Sequence, residues 1–97
     1  DAYNANPSSM EAALNNFIQL DKSNKIIIIG DMFELGEESI PEHTKIVELL
    51  SNVSDIDCFL VGKDFYASKT TATHLHFYET FDDFTNEIKQ KRSKGKK

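Results

Sequence analysis

The sequence predicts an α/β domain with three layers, in which helices cover both faces of a mostly parallel β-sheet. Three segments carry apolar residues at helical spacing, and three short apolar runs alternate with them along the chain. The isoleucines of "NKIIIIG" lack the alternation of a half-exposed strand, so they indicate a strand buried on both faces that ends at Gly30. With 97 residues, the chain is long enough for one modest core but not for two independent ones.

The first helix is predicted from about Ser9 to Leu20, because apolar side chains recur there on one helical face. These side chains are Met10, Leu14, Phe17 and Ile18. Asn6 and Pro7 favour a boundary before the helix, and Ser8 and Glu11 have the spacing of a capping box. The segment is therefore expected to begin with a well-defined cap and to pack one face on the sheet.

The remaining elements follow the same alternation. The second helix is predicted from about Pro41 to Leu50, and its buried face consists of His43, Ile46, Val47 and Leu50. Two further buried strands are predicted at residues 58–62 ("CFLVG") and 75–79 ("LHFYE"), separated by a loop or short helical turn near residues 64–67. The last helix is predicted from about Phe81 to Ser93. Its inner stripe consists of Phe81, Phe84 and Ile88.

The end of the sequence indicates that the sheet continues. Three strands make a small sheet for three helices to cover, and the last helix ends on "SKGKK", where a turn and another strand are expected. We therefore expect a sheet truncated by at least one strand that follows Lys97, and we leave open whether another precedes Asp1.

The charge distribution and the lengths of the apolar runs together exclude two classes of partner. The net charge is −5, and six of the 11 basic residues lie at residues 89–97, so the preceding part carries five lysines against 16 acidic residues. An acidic body with one basic end is a poor nucleic-acid platform, and the basic end complements the dipole at a helix C-terminus. No apolar run approaches the roughly 18 residues that a membrane span needs. We therefore expect no nucleic-acid partner and no membrane insertion.

The lone cysteine indicates a reducing compartment. Cys58 lies in the apolar run "CFLVG" and is predicted to be a buried structural thiol. A single cysteine permits no disulfide within the chain, which favours a cytoplasmic location. Because the chain begins without Met and without a charged and apolar leader, we expect a soluble piece of a longer protein.

Two predicted loops leave the carboxyl ends of neighbouring strands, where ligands gather in open α/β sheets. Asp31 follows the first strand, so its carboxylate is placed to receive an ammonium group or a ribose hydroxyl; a turn or cap carboxylate is an equal alternative. Glu34 adds negative charge to the same loop, whereas Glu37 and Glu38 are expected to complement a helix dipole. Lys63 follows the second strand, where its side chain is placed to contact an anion, although a surface lysine is the simpler interpretation.

The histidines are predicted to have structural roles. His43 lies one turn ahead of Ile46 and Val47, so it is expected to point inward and toward the acidic loop. A loop anchor is favoured over a general base, because no nucleophile is evident beside it. His74 and His76 share one strand face, but no third ligand has suitable spacing, so no metal site is predicted.

Motifs for phosphate, dinucleotide and zinc binding are absent from the sequence. It contains no G-x-x-x-x-G-K-[ST], no G-x-G-x-x-G, no H-E-x-x-H and no paired cysteines. The chain is therefore not expected to cradle nucleotide phosphates by itself.

Two stretches together resemble one family. "DAYNANPSSMEAAL" and "GDMFELGEES", followed by His43, resemble the carboxy-terminal domain of the Mur ligases. Within that family they are similar to the ligases that add D-alanyl-D-alanine to UDP-N-acetylmuramoyl-tripeptide in peptidoglycan synthesis. The resemblance spans nearly the whole chain, although residues 52–97 carry it only through their β-α pattern.

The resemblance implies that residues 1–97 are the Rossmann-like lid of a three-domain, ATP-dependent amide ligase of the bacterial cytoplasm. In that family an amino-terminal domain holds the UDP-sugar and a central domain holds the P-loop and the Mg²⁺ sites, and both lie outside this sequence. ATP phosphorylates the terminal carboxylate of the tripeptide, and the amine of D-Ala-D-Ala attacks the resulting acyl phosphate. The fragment alone is expected to be inactive.

The resemblance also implies roles for residues in the matching motifs. The nucleotide-facing edge would consist of Asp1, Tyr3, Asn4 and Asn6. Asp31 and Glu34 would lie in the loop that faces the incoming amine, and His43 would steady that loop. The resemblance implies no catalytic residue and no metal ligand within this chain.

Two alternatives to this assignment stay open. One is the lid of another Mur-type ligase or of a folylpolyglutamate ligase, against which "NANP" and "GDMFELGEES" argue. The other is a free-standing α/β interaction domain whose acidic body is a partner surface. An upstream G-x-x-G-K-[ST] and a downstream K-G-S-R in the gene would distinguish the ligase from the free-standing domain.

Overall fold

The computed structural model of the chain describes residues 6–95, and it confirms the predicted α/β class and the predicted order of elements. The strands are β1 (Ile26–Gly30), β2 (Asp57–Val61) and β3 (Leu75–Tyr78). The helices are α1 (Pro7–Gln19), α2 (Ser39–Ser51), α3 (Lys63–Ala67) and α4 (Phe81–Gly95), and a 3₁₀ turn (Gly36–Glu38) precedes α2. Within residues 6–95, no helix combines the length and apolar composition needed to cross a membrane.

The three strands form one sheet in the order β1-β2-β3, and both pairs are parallel. Parallel neighbours need a crossover, which α2 supplies between β1 and β2 and α3 supplies between β2 and β3. In this register Gly30 pairs with Val61, and Val61 pairs with Tyr78. The loops that follow all three strands therefore leave the sheet at one edge.

The core lies on the sheet face that α1, α2 and α3 cover. Ile27, Cys58 and Leu75 are in register across the three strands and are all buried. The helices contribute Leu14, Ile46, Val47, Leu50 and Phe65 to the same cluster. Each such side chain stabilises the fold by about 1.5–3 kcal/mol through burial of apolar surface. The predicted inner face of the second helix, with His43 included, is confirmed.

The opposite face is covered by α4 over β2 and β3. The Phe84 ring lies 6.0 Å from the Phe59 ring and 5.4 Å from the Tyr78 ring. The Tyr78 hydroxyl also donates a hydrogen bond of 2.5 Å to Glu87 of α4. Burial, together with this hydrogen bond, raises the pKa of Tyr78 above its ordinary value.

The prediction that the isoleucine strand is buried on both faces is wrong for the described part of the chain. Ile27 is buried, but Ile26 and Ile28 are 55% and 59% exposed. The reason is that α4 packs on the β2 and β3 side of this face and leaves β1 open. Phe81, predicted on the inner stripe of α4, is 66% exposed, because it begins the helix at the edge of the sheet.

The first two helices begin two residues earlier than predicted. Asn6, rather than Ser8, is the N-cap of α1: its Oδ1 accepts the Ser9 N–H at 2.8 Å, and Pro7 occupies the first helical position. The second helix begins at Ser39, two residues before Pro41. Proline is tolerated there because N–H groups of the first helical turn have no helical acceptor.

The reactivity of the Cys58 thiol can be used to test whether the core excludes solvent. The side chain is completely buried, and burial, aided by the charge of Asp57, raises the pKa of its thiol from 9.0 to about 11. We predict that a disulfide-exchange reagent at pH 8 leaves Cys58 unlabelled in the folded chain and labels it fully in denaturant. Above about pH 9 the free energy of unfolding should fall, because the unfolded chain releases this proton first.

A matched control for this labelling is the double variant Cys58→Ala with Ser54→Cys, since Ser54 is exposed. Its thiol should react quickly in the folded chain. Equal labelling rates for the wild type and the control would contradict the prediction.

Candidate functional site

The candidate site lies at the sheet edge where the loops after β1 and β2 leave their strands. Asp31 directly follows β1, and Gly62 directly follows β2 and begins the turn into α3. The Asp31 N–H donates to the Val61 carbonyl at 3.1 Å, so the parallel pairing of β1 and β2 continues to the start of both loops. The sheet thereby fixes the Asp31 side chain against the first residues of α3.

The Asp31 carboxylate caps α3 from a neighbouring strand. Its Oδ2 accepts the Asp64 N–H at 2.9 Å, and its Oδ1 accepts the Phe65 N–H at 3.0 Å. The residue in the local N-cap position, Gly62, has no side chain to offer. The Asp31 side chain is 8% exposed, so these N–H donors replace most of the water that a carboxylate needs.

Gly62 is the residue that makes this cap sterically possible. Its backbone has φ 140° and ψ 159°, a conformation essentially restricted to glycine. A Cβ atom at this position would lie 2.2–2.6 Å from the Asp31 carboxylate atoms. The Asp31 carboxylate therefore occupies the space that any side chain at position 62 would need.

The His43 side chain, which belongs to α2, binds the start of the same loop. Its Nε2 accepts the Met32 N–H at 2.9 Å, and its Nδ1 donates to the Ser39 carbonyl at 2.7 Å. These two partners define a neutral imidazole with the proton on Nδ1. The ring is completely buried and meets the Phe65 ring edge-on, with centroids 4.6 Å apart. These contacts join the start of the loop after β1 to α2 and α3.

Ser39 and Asp64 close the network. The Ser39 hydroxyl, at the first residue of α2, donates to Asp64 Oδ2 at 2.6 Å. Asp64 in turn donates its backbone N–H to Asp31. The loop after β1, the start of α2 and the start of α3 are thus joined by hydrogen bonds that involve side chains from all three segments.

The loop between these anchors presents several side chains to solvent, Phe33 and Glu34 at its start and Glu37 and Glu38 in the 3₁₀ turn. Met32 is buried, whereas Phe33 is 65% exposed and Glu34 is also exposed. Glu34 has φ 65°, an unusual left-handed conformation for a residue with a side chain, and Gly36 repeats it with φ 58°. Backbone strain of this kind persists when surrounding contacts impose it, and it occurs often at ligand sites.

An apolar crevice of about 640 Å³ opens beside this loop at the carboxyl ends of β1 and β2. Its apolar lining includes Met10, Ile28, Phe33, Val61 and Phe81. Among residues 6–95, the charged residues that line it are Asp31 and Lys63. The Asp31 carboxylate accepts two backbone N–H groups of α3, whereas the Lys63 side chain is exposed.

The structure brings some of the predicted site residues together and separates others. Asp31 and His43 meet, with Oδ1 and Nε2 3.7 Å apart, and Glu34 projects from the loop that they hold. Asn6 lies at the start of α1, where its side chain is used as the helix cap. The other residues of the predicted nucleotide edge, Asp1, Tyr3 and Asn4, lie outside the described residues.

One cluster within residues 6–95 has the composition of a metal site. The ligand atoms of Asp31, His43 and Asp64 lie within 4.8 Å of one another. The single lone pair of His43 Nε2 already accepts the Met32 N–H, and each Asp31 oxygen accepts one backbone N–H of α3. His74 and His76 bond separate partners, the Leu50 carbonyl and Asp57. All these side chains therefore have hydrogen-bond partners within the fold.

Sequence reasoning missed three members of the network. Gly62 stands between a strand and Lys63, and its position after an apolar run was the available signal for a close backbone approach. Ser39 and Asp64 are 25 residues apart, and no local pattern joins them. Their pairing depends on the crossover that places α2 beside α3.

Replacing Gly62 tests the cap. We predict that Gly62→Ala lowers the free energy of unfolding by about 2–4 kcal/mol, because the new Cβ displaces Asp31 and the backbone is strained. Gly30→Ala is the matched control, since its Cβ would meet only the Val61 carbonyl at 3.6 Å, and it should cost less than about 1 kcal/mol. Urea unfolding measures both changes, and equal costs would contradict the steric argument.

Comparison with known proteins identifies the family. Residues 1–95 match the profile described as "Mur ligase, glutamate ligase domain". A UDP-N-acetylmuramoyl-tripeptide–D-alanyl-D-alanine ligase of Rickettsia prowazekii is 42% identical over 62 residues, which are 64% of this chain and 14% of that protein. The ligase of the same name from Escherichia coli is 37% identical over 73 residues, which are 74% of this chain and 16% of that protein.

Solved structures agree with this match. A crystal structure of MurF from Acinetobacter baumannii superimposes with a TM-score of 0.73 and 31% identity, over 99% of this chain and 21% of that one. The chain thus spans about a fifth of the length of this relative. The match over residues 1–95 and these similarities show that the chain belongs to the Mur ligase family, as a carboxy-terminal domain of the MurF type.

Proposed function

We propose that this chain is the carboxy-terminal lid domain of a three-domain ligase that joins D-Ala-D-Ala to UDP-N-acetylmuramoyl-tripeptide in peptidoglycan precursor synthesis. The observation that carries the proposal is the family match over residues 1–95, together with relatives that bear the name of this activity. The substrates, a cytoplasmic location and ATP as the energy source follow from the same assignment.

The proposed reaction explains why a lid is needed. A carboxylate is a poor electrophile, so the γ-phosphoryl group of ATP is transferred to the terminal carboxylate of the tripeptide, and ADP forms. The amine of D-Ala-D-Ala then attacks the carbonyl carbon, the amide bond forms and phosphate leaves. A lid lowers the barrier by orienting the amine and by excluding water that would hydrolyse the acyl phosphate.

The chain's own residues are proposed to orient ligands rather than to react. Asp1, Tyr3, Asn4 and Asn6 are proposed to face the nucleotide, and Asn6 also caps α1. The loop of Asp31 and Glu34 faces the incoming amine. The contacts that support this part are the cap of Asp31 on α3 and the imidazole of His43, which hold the loop in one shape.

ATP and Mg²⁺ are proposed to be bound mainly outside this chain. Mg²⁺ shields the phosphate charges of ATP during phosphoryl transfer. Within the described residues, both Asp31 oxygens and one Asp64 oxygen accept hydrogen bonds that hold the fold, and a Mg²⁺ ion at this cluster would have to compete with them. The sequence also lacks a phosphate-binding loop.

The nucleotide edge can be tested in the full-length enzyme. We predict that Asp1→Ala and Asn4→Ala each raise the KM for ATP by about tenfold, because each removes one hydrogen bond to the bound nucleotide. Asp55→Ala is the matched control, since Asp55 is exposed before β2 and outside the proposed edge. Steady-state kinetics measure the change, and unchanged ATP kinetics in both variants would contradict the assignment.

The isolated chain provides a second test. We predict that it neither hydrolyses ATP nor binds it with micromolar affinity, because the proposed nucleotide site lies between two domains. Isothermal titration calorimetry with ATP and Mg²⁺ measures this directly. Micromolar binding by the isolated chain would show that the nucleotide site is complete within it.

A further inference from the structure

Asp64, in the first turn of α3, contacts both ends of the loop that joins β1 to α2. Its backbone N–H donates to Asp31, the first residue after β1, at 2.9 Å. Its carboxylate accepts the hydroxyl of Ser39, the first residue of α2, at 2.6 Å. Within residues 6–95, no cationic side chain pairs with this carboxylate. Asp64 thus closes the loop of residues 31–39 from a neighbouring helix.

The part of the loop between these two contacts has an unusual backbone conformation. Glu34 and Gly36 have φ 65° and 58°, and glycine alone adopts such values without steric cost. Met32 and Leu35 pack on the core, whereas Phe33 and Glu34 are exposed. The exposed part is therefore held by the residues on either side of it rather than by packing of its own side chains.

The start and the end of the loop are held to different extents. At the start, Asp31 accepts two backbone N–H groups of α3, and His43 accepts the Met32 N–H. At the end, the hydroxyl of Ser39 joins the loop to α3 through its hydrogen bond with Asp64. Both groups are half-buried, and the acceptor is charged, so this bond is stronger than one between neutral groups in water. Its loss should free the end of the loop from α3 while the core stays packed.

We propose that Ser39 and Asp64 are positioning residues that couple phosphoryl transfer to formation of the amide bond. This inference rests on the proposed function, in which the loop faces the incoming amine. When Asp64 closes the loop, the amine attacks the carbonyl carbon of the acyl phosphate before water does. When the loop is open, water attacks in its place and the bond from the carbonyl carbon to the phosphate oxygen breaks. The products are then the free carboxylate, phosphate and a proton, and no amide forms.

The alternative is that the bond between Ser39 and Asp64 only stabilises the packing of α2 beside α3. Ser51 provides the matched comparison, because it lies at the other end of α2 and its hydroxyl donates to the Val47 carbonyl at 2.8 Å. Ser39→Ala and Ser51→Ala each remove one hydroxyl hydrogen bond of a half-buried serine from the same helix. A purely structural role therefore predicts similar effects for the two variants.

The test measures phosphate and amide product together in the full-length ligase, with D-Ala-D-Ala below its KM. We predict that Ser39→Ala releases about two or more phosphates per amide bond, whereas the wild type releases about one. It should also lower kcat/KM for D-Ala-D-Ala by about tenfold, the effect of losing one hydrogen bond. The KM for ATP should change by less than about twofold. Ser51→Ala should keep the wild-type values of all three quantities.

Two further variants connect the effect to this hydrogen bond. Ser39→Thr keeps a hydroxyl and should restore the ratio of phosphate to amide to about one. Asp64→Ala removes the acceptor and should raise the ratio as Ser39→Ala does. The double variant should be no worse than either single one, because both substitutions remove the same bond. Turnover by each variant at saturating substrates shows that it is folded.

The outcomes separate this inference from the proposed function. If the wild-type enzyme ligates D-Ala-D-Ala and Ser39→Ala keeps the wild-type ratio, the inference is wrong and the proposed function stands. An equal loss of coupling in Ser51→Ala, or a rise in the KM for ATP in Ser39→Ala, would also overturn the inference. If the wild-type enzyme forms no amide bond with D-Ala-D-Ala, the proposed function itself fails.

Discussion

The capping of α3 by the Asp31 carboxylate is the interaction on which the rest of the site depends. Two backbone N–H groups that a five-residue helix leaves without acceptors are satisfied by a side chain from the neighbouring strand. The parallel register of β1 and β2 brings this carboxylate level with the first N–H groups of α3, and the absence of a Cβ at Gly62 leaves room for it. A change in the register of β1 and β2, in the start of α3 or in the position of the loop would therefore disturb the other two.

This constraint spreads through the neighbouring polar groups. Asp64 accepts from Ser39 while its N–H serves Asp31, and His43 joins the loop to the first turn of α2. Within residues 6–95, no buried polar side-chain atom lacks a partner, so the network is fully satisfied in a desolvated place. Such a network holds the exposed part of the loop in a left-handed conformation without weakening the fold.

The hydrophobic core and the candidate site lie in different regions of the sheet. The face under α1, α2 and α3 carries the continuous core and supplies most of the stability. The carboxyl edge, with the crevice and the loop of Phe33 and Glu34, carries apolar surface that the described residues leave exposed. This separation is compatible with the lid role proposed above, because the edge can present side chains while the core keeps its shape.

Local patterns were sufficient for the class of fold, the order of elements and the inward face of α2, because periodicity and glycine positions are properties of short segments. The two motifs also identified the family. The sequence left open whether the Asp31 carboxylate serves as a cap. In the tertiary structure it caps α3, because the register of β1 and β2 places it against the first residues of that helix. The tertiary structure also decided that alternate isoleucines of β1 are exposed, because burial depends on what packs against each face. Contacts such as Ser39 with Asp64 arise only after the chain has crossed over the sheet, so no segment encodes them alone.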